Sequence, residues 1–140
     1  MSTGPAVATA VMFVWLGMVL AISFLEAPLK FRAPDVTLRI GVGIGRLVFR
    51  ALNTTEAVLA VAVLVALVLD PPTRAIVAPV VAIAVLVAQL LLVRPRLIRR
   101  SDAVLAGRDT SRSHAHHAYI ALETIKVTAL LIGGVLLLAT

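Results

Sequence analysis

Four runs of 19 to 22 residues dominate this chain, and together they hold only three charged side chains; every other charge sits in the stretches between them. An α-helix rises 1.5 Å per residue, so each run covers the ~30 Å hydrocarbon core of a bilayer. Such segregation excludes an ordinary soluble fold. The residues are 61% hydrophobic and 14% charged, against about 25% charged in a typical soluble domain. That apolar surplus exceeds what one soluble core of this size could bury. The chain has no cysteine, which removes disulfides, thiolate metal sites and thiol redox chemistry.

The first run, Ala6 to Leu25, has no charge at all, and Ser2, Thr3 and Pro5 before it suit a helix start. No Lys or Arg precedes it and it is long for the apolar part of a signal peptide, so it is expected to be retained. Ala51 to Leu69 forms the second run and ends at Asp70-Pro71-Pro72, which cannot continue a helix. Ala75 to Val93 is the third, closed by Arg94-Pro95-Arg96, with Pro79 tolerated near its start. Ala118 to Ala139 is the fourth, and Gly133-Gly134 within it predicts close approach of a neighbouring helix. The whole chain reads as one integral membrane domain, residues 1–140, with spans at about 6–25, 51–69, 75–93 and 118–139.

The links set an expected orientation. Asp-Pro-Pro-Thr between the second and third runs is short enough to make an antiparallel hairpin. The two longer links are basic: Lys30, Arg32, Arg39, Arg46 and Arg50 in one, Arg94, Arg96, Arg99, Arg100, Arg108 and Arg112 in the other. Only Arg74 lies on the opposite side. The positive-inside rule therefore predicts cytoplasmic links with both termini outside. The net charge of +6 then reports topology and contact with anionic lipid head groups, not nucleic-acid binding, since no soluble module exists to present it.

After Pro34 the stretch DVTLRIGVGIGRLVFRALNTTE has helical spacing, with Asp35 as candidate N-cap, so the helix of the second span is expected to begin near residue 36. Gly41, Gly43 and Gly45 resemble a phosphate-binding loop only superficially, because a dinucleotide fingerprint needs a preceding strand. Gly41 and Gly45 have the spacing of a close helix contact or a flexible interfacial turn. At 100° per residue, Arg46, Arg50, Asn53 and Glu56 fall within an arc of roughly 120°.

The fourth run opens with HAHHAYIALETIK, residues 114–126. On a helical wheel His116, Tyr119, Glu123 and Lys126 share an arc of roughly 80°, while His114 and His117 point elsewhere. The histidines therefore do not form one site. Glu26, Asn53, Glu56, Gln89, His116, Tyr119, Glu123 and Lys126 are all expected in the half of the membrane nearer the basic links, with Arg46 and Arg50 at its edge; the opposite half is aliphatic. A charge at mid-membrane costs on the order of 2.5–3.5 kcal/mol, so these groups are expected to face inward and pair, Glu56 and Glu123 against Arg50 and Lys126.

Lys126, Arg46 and Arg50 argue against a divalent metal held by Glu26, Glu56, Glu123 and His116, and a haem with two histidine ligands would need one on a facing helix. No nucleophile, base and orienting residue are set by a recognisable motif around Ser23 or Thr124, so no catalytic residue and no cofactor is expected. Two roles stay open. The cluster binds or transports a small ion or an anionic solute, or the charges only lock the helices of an accessory or scaffold subunit in a larger membrane complex. Four helices enclose little volume, so a pore calls for a homo-oligomer. Trp15 reads as a packing residue, Tyr119 as an interfacial anchor or a member of the cluster, and Gln89 as a single interhelical hydrogen bond.

WLGMVLAISFLEAPLKFRAP, then GIGRLVFRALN and HHAYIALETIK, resemble small bacterial four-span membrane proteins of unknown function. The W-L-G with a later A-P-L-K-F is loosely similar to the copper-resistance-D-like and transmembrane-protein-205-like groups, and that resemblance implies metal or drug resistance. It covers about a third of the chain. The expectation is an all-α four-helix bundle, N-out and C-out, in a bacterial inner membrane.

Overall fold

A computed structural model of the chain describes residues 2–72, 75–107 and 114–139. Arg74, Arg108 and Arg112 lie outside the described residues, as does the side chain of His114. The described residues form four long helices and no strand: α1 Thr3–Lys30, α2 Leu38–Leu69, α3 Val77–Leu105 and α4 His114–Leu138. All four are long and apolar enough to cross a membrane, and the chain is a multi-pass membrane protein of the four-helix-bundle class.

α1 and α3 run past the ends of their apolar stretches and straight through Pro28 and Pro95. A proline inside a helix has no N–H to donate, and its ring collides with the carbonyl four residues earlier, here Phe24 and Leu91. Both of those residues lie in wide π-helical turns, Leu20–Glu26 in α1 and Gln89–Val93 in α3. A π turn opens the backbone by one residue, which makes room for the ring without breaking the rod. The expectation that α3 closes at Arg94-Pro95-Arg96 is therefore corrected: the helix continues to Leu105.

α2 begins at Leu38, where the Thr37 hydroxyl accepts from Ile40 N–H at 3.2 Å. Asp35, the expected N-cap, instead takes a left-handed φ of 66° in the preceding turn. At the other end, α1 is capped from outside itself. Gly4 N–H donates to Asp70 Oδ2 at 2.9 Å, so the end of α2 supplies the acceptor that Ser2 does not. A Cβ at Gly4 would overlap Asp70 and the Ala66 carbonyl.

α1 packs on α2 and α4, α4 also packs on α3, and the Arg94–Leu105 part of α3 meets α2. Gly133 faces Met12, Ala78 and Pro79, and Gly134 faces the Phe13 ring, so the glycine pair seats α4 between α1 and α3. Gly41 and Gly45 also permit close packing, with Phe31 and Lys30 at the end of α1 as the neighbours. One end of the bundle, the terminal end, thus carries Thr3, Leu69, Val77 and Leu138; the other, the link end, carries Lys30, Leu38, Leu105 and His114. Ala8, Met12, Val63, Leu67, Ala82, Leu130 and Leu137 fill the core toward the terminal end. Val58, Val61, Val68, Leu91, Leu92 and Leu131 point outward, as lipid-facing side chains must.

Candidate functional site

Lys126 stands midway along α4, and its side chain is completely buried. Its ammonium lies 2.5 Å from Glu56 Oε1 on α2 and 2.6 Å from Glu123 Oε1 one turn back on α4. It also donates to Gln89 Oε1 on α3 at 2.7 Å. One cation therefore ties three helices together.

Glu123 is the best-satisfied group in the bundle. Oε1 receives Lys126 and, at 3.3 Å, Gln89 Nε2; Oε2 receives the Ser23 hydroxyl from α1 and the Tyr119 hydroxyl from its own helix, both at 2.6 Å. Ser23 and Gln89 occupy the two π turns. Both widened turns in the described residues thus deliver a hydrogen bond to one carboxylate. In α1 the face Trp15, Val19, Ser23, Ala27 repeats every four residues. A pure α-helix would drift about 40° per step, and one inserted residue turns the helix back by about 100°. That correction keeps Ser23 on the inward face.

Glu56 is satisfied on one side only. Oε1 accepts from Trp15 Nε1 at 2.9 Å as well as from Lys126, while Oε2 is buried without a hydrogen-bond partner. Asn53, one turn earlier on α2, is buried too. With both carboxylates ionised, the centre holds two negative charges against one positive.

No known protein family, curated protein or solved structure matches this chain. The chemistry of the centre has to be read from its own geometry.

Five of the ten residues proposed from sequence converge here: Glu56, Gln89, Tyr119, Glu123 and Lys126. The Glu56–Lys126 and Glu123–Lys126 pairs occur as expected, Tyr119 joins the cluster, and Gln89 makes two interhelical hydrogen bonds where one was expected. Arg50 does not join, a correction to its expected pairing with Glu56: it is exposed, at the edge of the 120° arc and too far round the helix. Arg46 instead bridges to Asp102 at 2.5 Å, fastening α2 to α3 at the link end. Glu26 pairs with Lys30, 3.8 Å away and one turn on. His116 shares the Glu123 face but lies seven residues earlier, about 10 Å along the axis. It is half-buried, with its ring 6.0 Å from that of His117. Tyr119 is the residue in between that reaches the carboxylate.

Trp15 and Lys126 are mid-helix, so the polar centre starts at the middle of the bundle and extends toward the link end. Beyond it on the link side come Ser23, Tyr119 with Phe49 edge-to-face at 5.8 Å, and the Lys30–Glu26 pair. On the terminal side the one buried polar side chain among the described residues is Thr9, whose hydroxyl is spent on the Pro5 carbonyl. The surface grooves between α1 and α2 and between α3 and α4 are lined almost wholly by aliphatic side chains and lie away from the centre. Among the described residues, no three His, Asp or Glu side chains are arranged to hold a metal ion.

Trp15 and Ser23 are the members that sequence reasoning missed. Trp15 carries the one indole N–H of the chain at mid-membrane, where a buried donor needs an acceptor. That need was the available signal.

Proposed function

We propose that this protein binds a small cation at the Glu56–Lys126–Glu123 centre and carries it across the membrane, loading from the side that faces the basic links. The observation that carries this reading is the charge imbalance: two fully buried carboxylates share one ammonium, and one carboxylate oxygen has no partner. An uncompensated charge in a dry interior costs several kcal/mol, so the centre favours a positive guest and repels an anionic solute. The polar side chains of Ser23, Tyr119, Glu26 and Lys30 on the link side support access from that end, and the aliphatic core supports a barrier on the other that opens only for release. By the positive-inside rule the link end is cytoplasmic. The test is uptake of protons, sodium or potassium into liposomes containing the purified protein. Wild type is expected to take up one of these ions and Glu123→Gln to lose uptake; rates equal to protein-free liposomes would reject the reading.

A second reading has its own support. Glu123 accepts four hydrogen bonds from three helices, which is the arrangement a register lock requires. On that reading the protein is a non-catalytic accessory or scaffold subunit. It predicts no ion uptake and a partner that co-purifies at fixed stoichiometry.

A further inference from the structure

We infer that Glu56 holds an exchangeable proton on Oε2, so that the ion bound at the centre is a proton. The inference rests on the cation-binding reading above and names the cation and the atom.

The two carboxylates of the centre are not equivalent. Glu123 has a donor at every position that an ionised carboxylate uses: an ammonium, an amide and two hydroxyls. Those hydroxyls and the amide keep their hydrogens and point them inward, which suits an anion. Glu123 is therefore the ionised member and the standing partner of Lys126. Glu56 has donors on Oε1 alone, and its Oε2 is sealed from solvent with nothing directed at it. A buried acceptor left without a partner costs about 1–3 kcal/mol, and more when charged. Adding one proton at that oxygen removes the surplus negative charge and leaves the centre neutral, with Glu123 and Lys126 as a matched pair.

A metal cation suits the surroundings poorly. Hard cations take a shell of oxygen ligands. Around Glu56 the groups in contact are the Trp15 indole N–H and the Lys126 ammonium, both turned hydrogen-first toward the carboxylate. The Gln89 carbonyl oxygen and both Glu123 oxygens are already engaged. A proton needs no shell. The titratable groups of the centre are Glu56 on α2 with Glu123, Lys126 and Tyr119 on α4; α1 presents Trp15 and Ser23 and α3 presents Gln89, none of which titrates in water's working range. Transfer is a simple protonation: a hydronium ion reaching the centre from the link side loses its proton, a bond forms at Glu56 Oε2 and water is left, and the same bond breaks on release to water.

The test is infrared difference spectroscopy of the full chain in lipid nanodiscs, reading the C=O stretch of a protonated carboxyl at neutral pH in H2O and in D2O. Wild type is expected to show the band, with the downshift in D2O that marks an exchangeable proton. Glu56→Gln is expected to lose it, and Glu123→Gln to lose it as well, because Glu56 then becomes the sole counter-ion of Lys126; Glu56→Asp is expected to keep one at a displaced frequency and Glu123→Asp to keep one at the wild-type frequency. No band in wild type, a band that survives Glu56→Gln, or a band that never shifts in D2O would overturn the inference. The two proposals fail separately: sodium or potassium uptake without a Glu56 band rejects the proton and leaves cation binding standing. A Glu56 band that shifts in D2O, in a protein that takes up no ion, keeps the proton site and rejects transport.

Discussion

Lys126 Nζ lies 2.5 Å from Glu56 Oε1, and neither side chain has any solvent exposure. A pair so placed is not needed for stability as such, since an apolar replacement of the whole set is often tolerated; removing one partner is different, because it leaves the other charge buried and bare. Lys126→Met is accordingly expected to destabilise the bundle by about 3–5 kcal/mol. Adding Glu123→Gln to it, which neutralises the carboxylate left bare, should recover part of that loss, giving a coupling energy of about 1–3 kcal/mol for the Lys126–Glu123 pair in a double-mutant cycle. Unfolding titrations of the four proteins in mixed micelles would measure it, and additive effects would show that the pair does not interact.

Asp70 offers a pH-dependent contact outside the spans. The Gly4 N–H, with help from the Ser2 hydroxyl, favours the charged carboxylate and holds its pKa below the ordinary value of 3.8. Because the folded value is the lower one, the stabilisation is complete above the unfolded pKa and is lost as pH falls through the folded one. The melting temperature of wild type should therefore drop between about pH 5 and pH 1 more steeply than that of Asp70→Asn. Parallel curves for the two proteins would remove this cap as a source of acid sensitivity.

Local periodicity carried the sequence reading as far as a continuous α-helix carries it. α2 and α4 have no widened turn, and on them the 100° wheel correctly aligned Glu56 with the interior and Tyr119, Glu123 and Lys126 with one another. α1 carries a π turn from Leu20 to Glu26, so the same arithmetic could not align Trp15 with Ser23. Pro95 read as a stop signal, whereas the π turn before it lets the helix pass. Arg50 was misplaced because a 120° polar arc is wider than the buried stripe. The Gly4–Asp70 cap joins residues 66 apart on different helices, a tertiary contact that no window of sequence displays.

That account of α1 makes deletions informative. Removing Ala21, exposed inside the π turn, should convert it to an ordinary α turn while Trp15 and Lys30 keep their facing. Removing Ala10, equally exposed but in regular α-helix, rotates Gly4, Pro5, Ala8 and Thr9 by about 100° away from their partners. The Ala10 deletion is expected to cost about 2–5 kcal/mol, the scale of a large core truncation, and the Ala21 deletion clearly less. Melting temperatures in one detergent provide the comparison; equal losses would mean that the wide turn absorbs no register change.

The Ser23 and Tyr119 hydroxyls both end on Glu123 Oε2 at 2.6 Å, one from α1 and one from α4. Each donates to a group that is ionised if Glu56 keeps the proton, so each hydrogen bond is expected to contribute about 1–2 kcal/mol. Ser23→Ala and Tyr119→Phe remove them with almost no change of shape. Either alone leaves one donor on Oε2. Both together leave that oxygen as bare as Glu56 Oε2 is in the wild type, and the preference for charge on Glu123 over Glu56 should then collapse. The double variant is expected to lose more stability than either single one and to share the proton with Glu123, so that Glu123→Asp, which leaves the wild-type band in place, displaces the protonated-carboxyl infrared band of the double variant. A band that Glu123→Asp leaves in place in the double variant too would show that Lys126 and Gln89 suffice to keep Glu123 charged, and that the hydroxyls only position it.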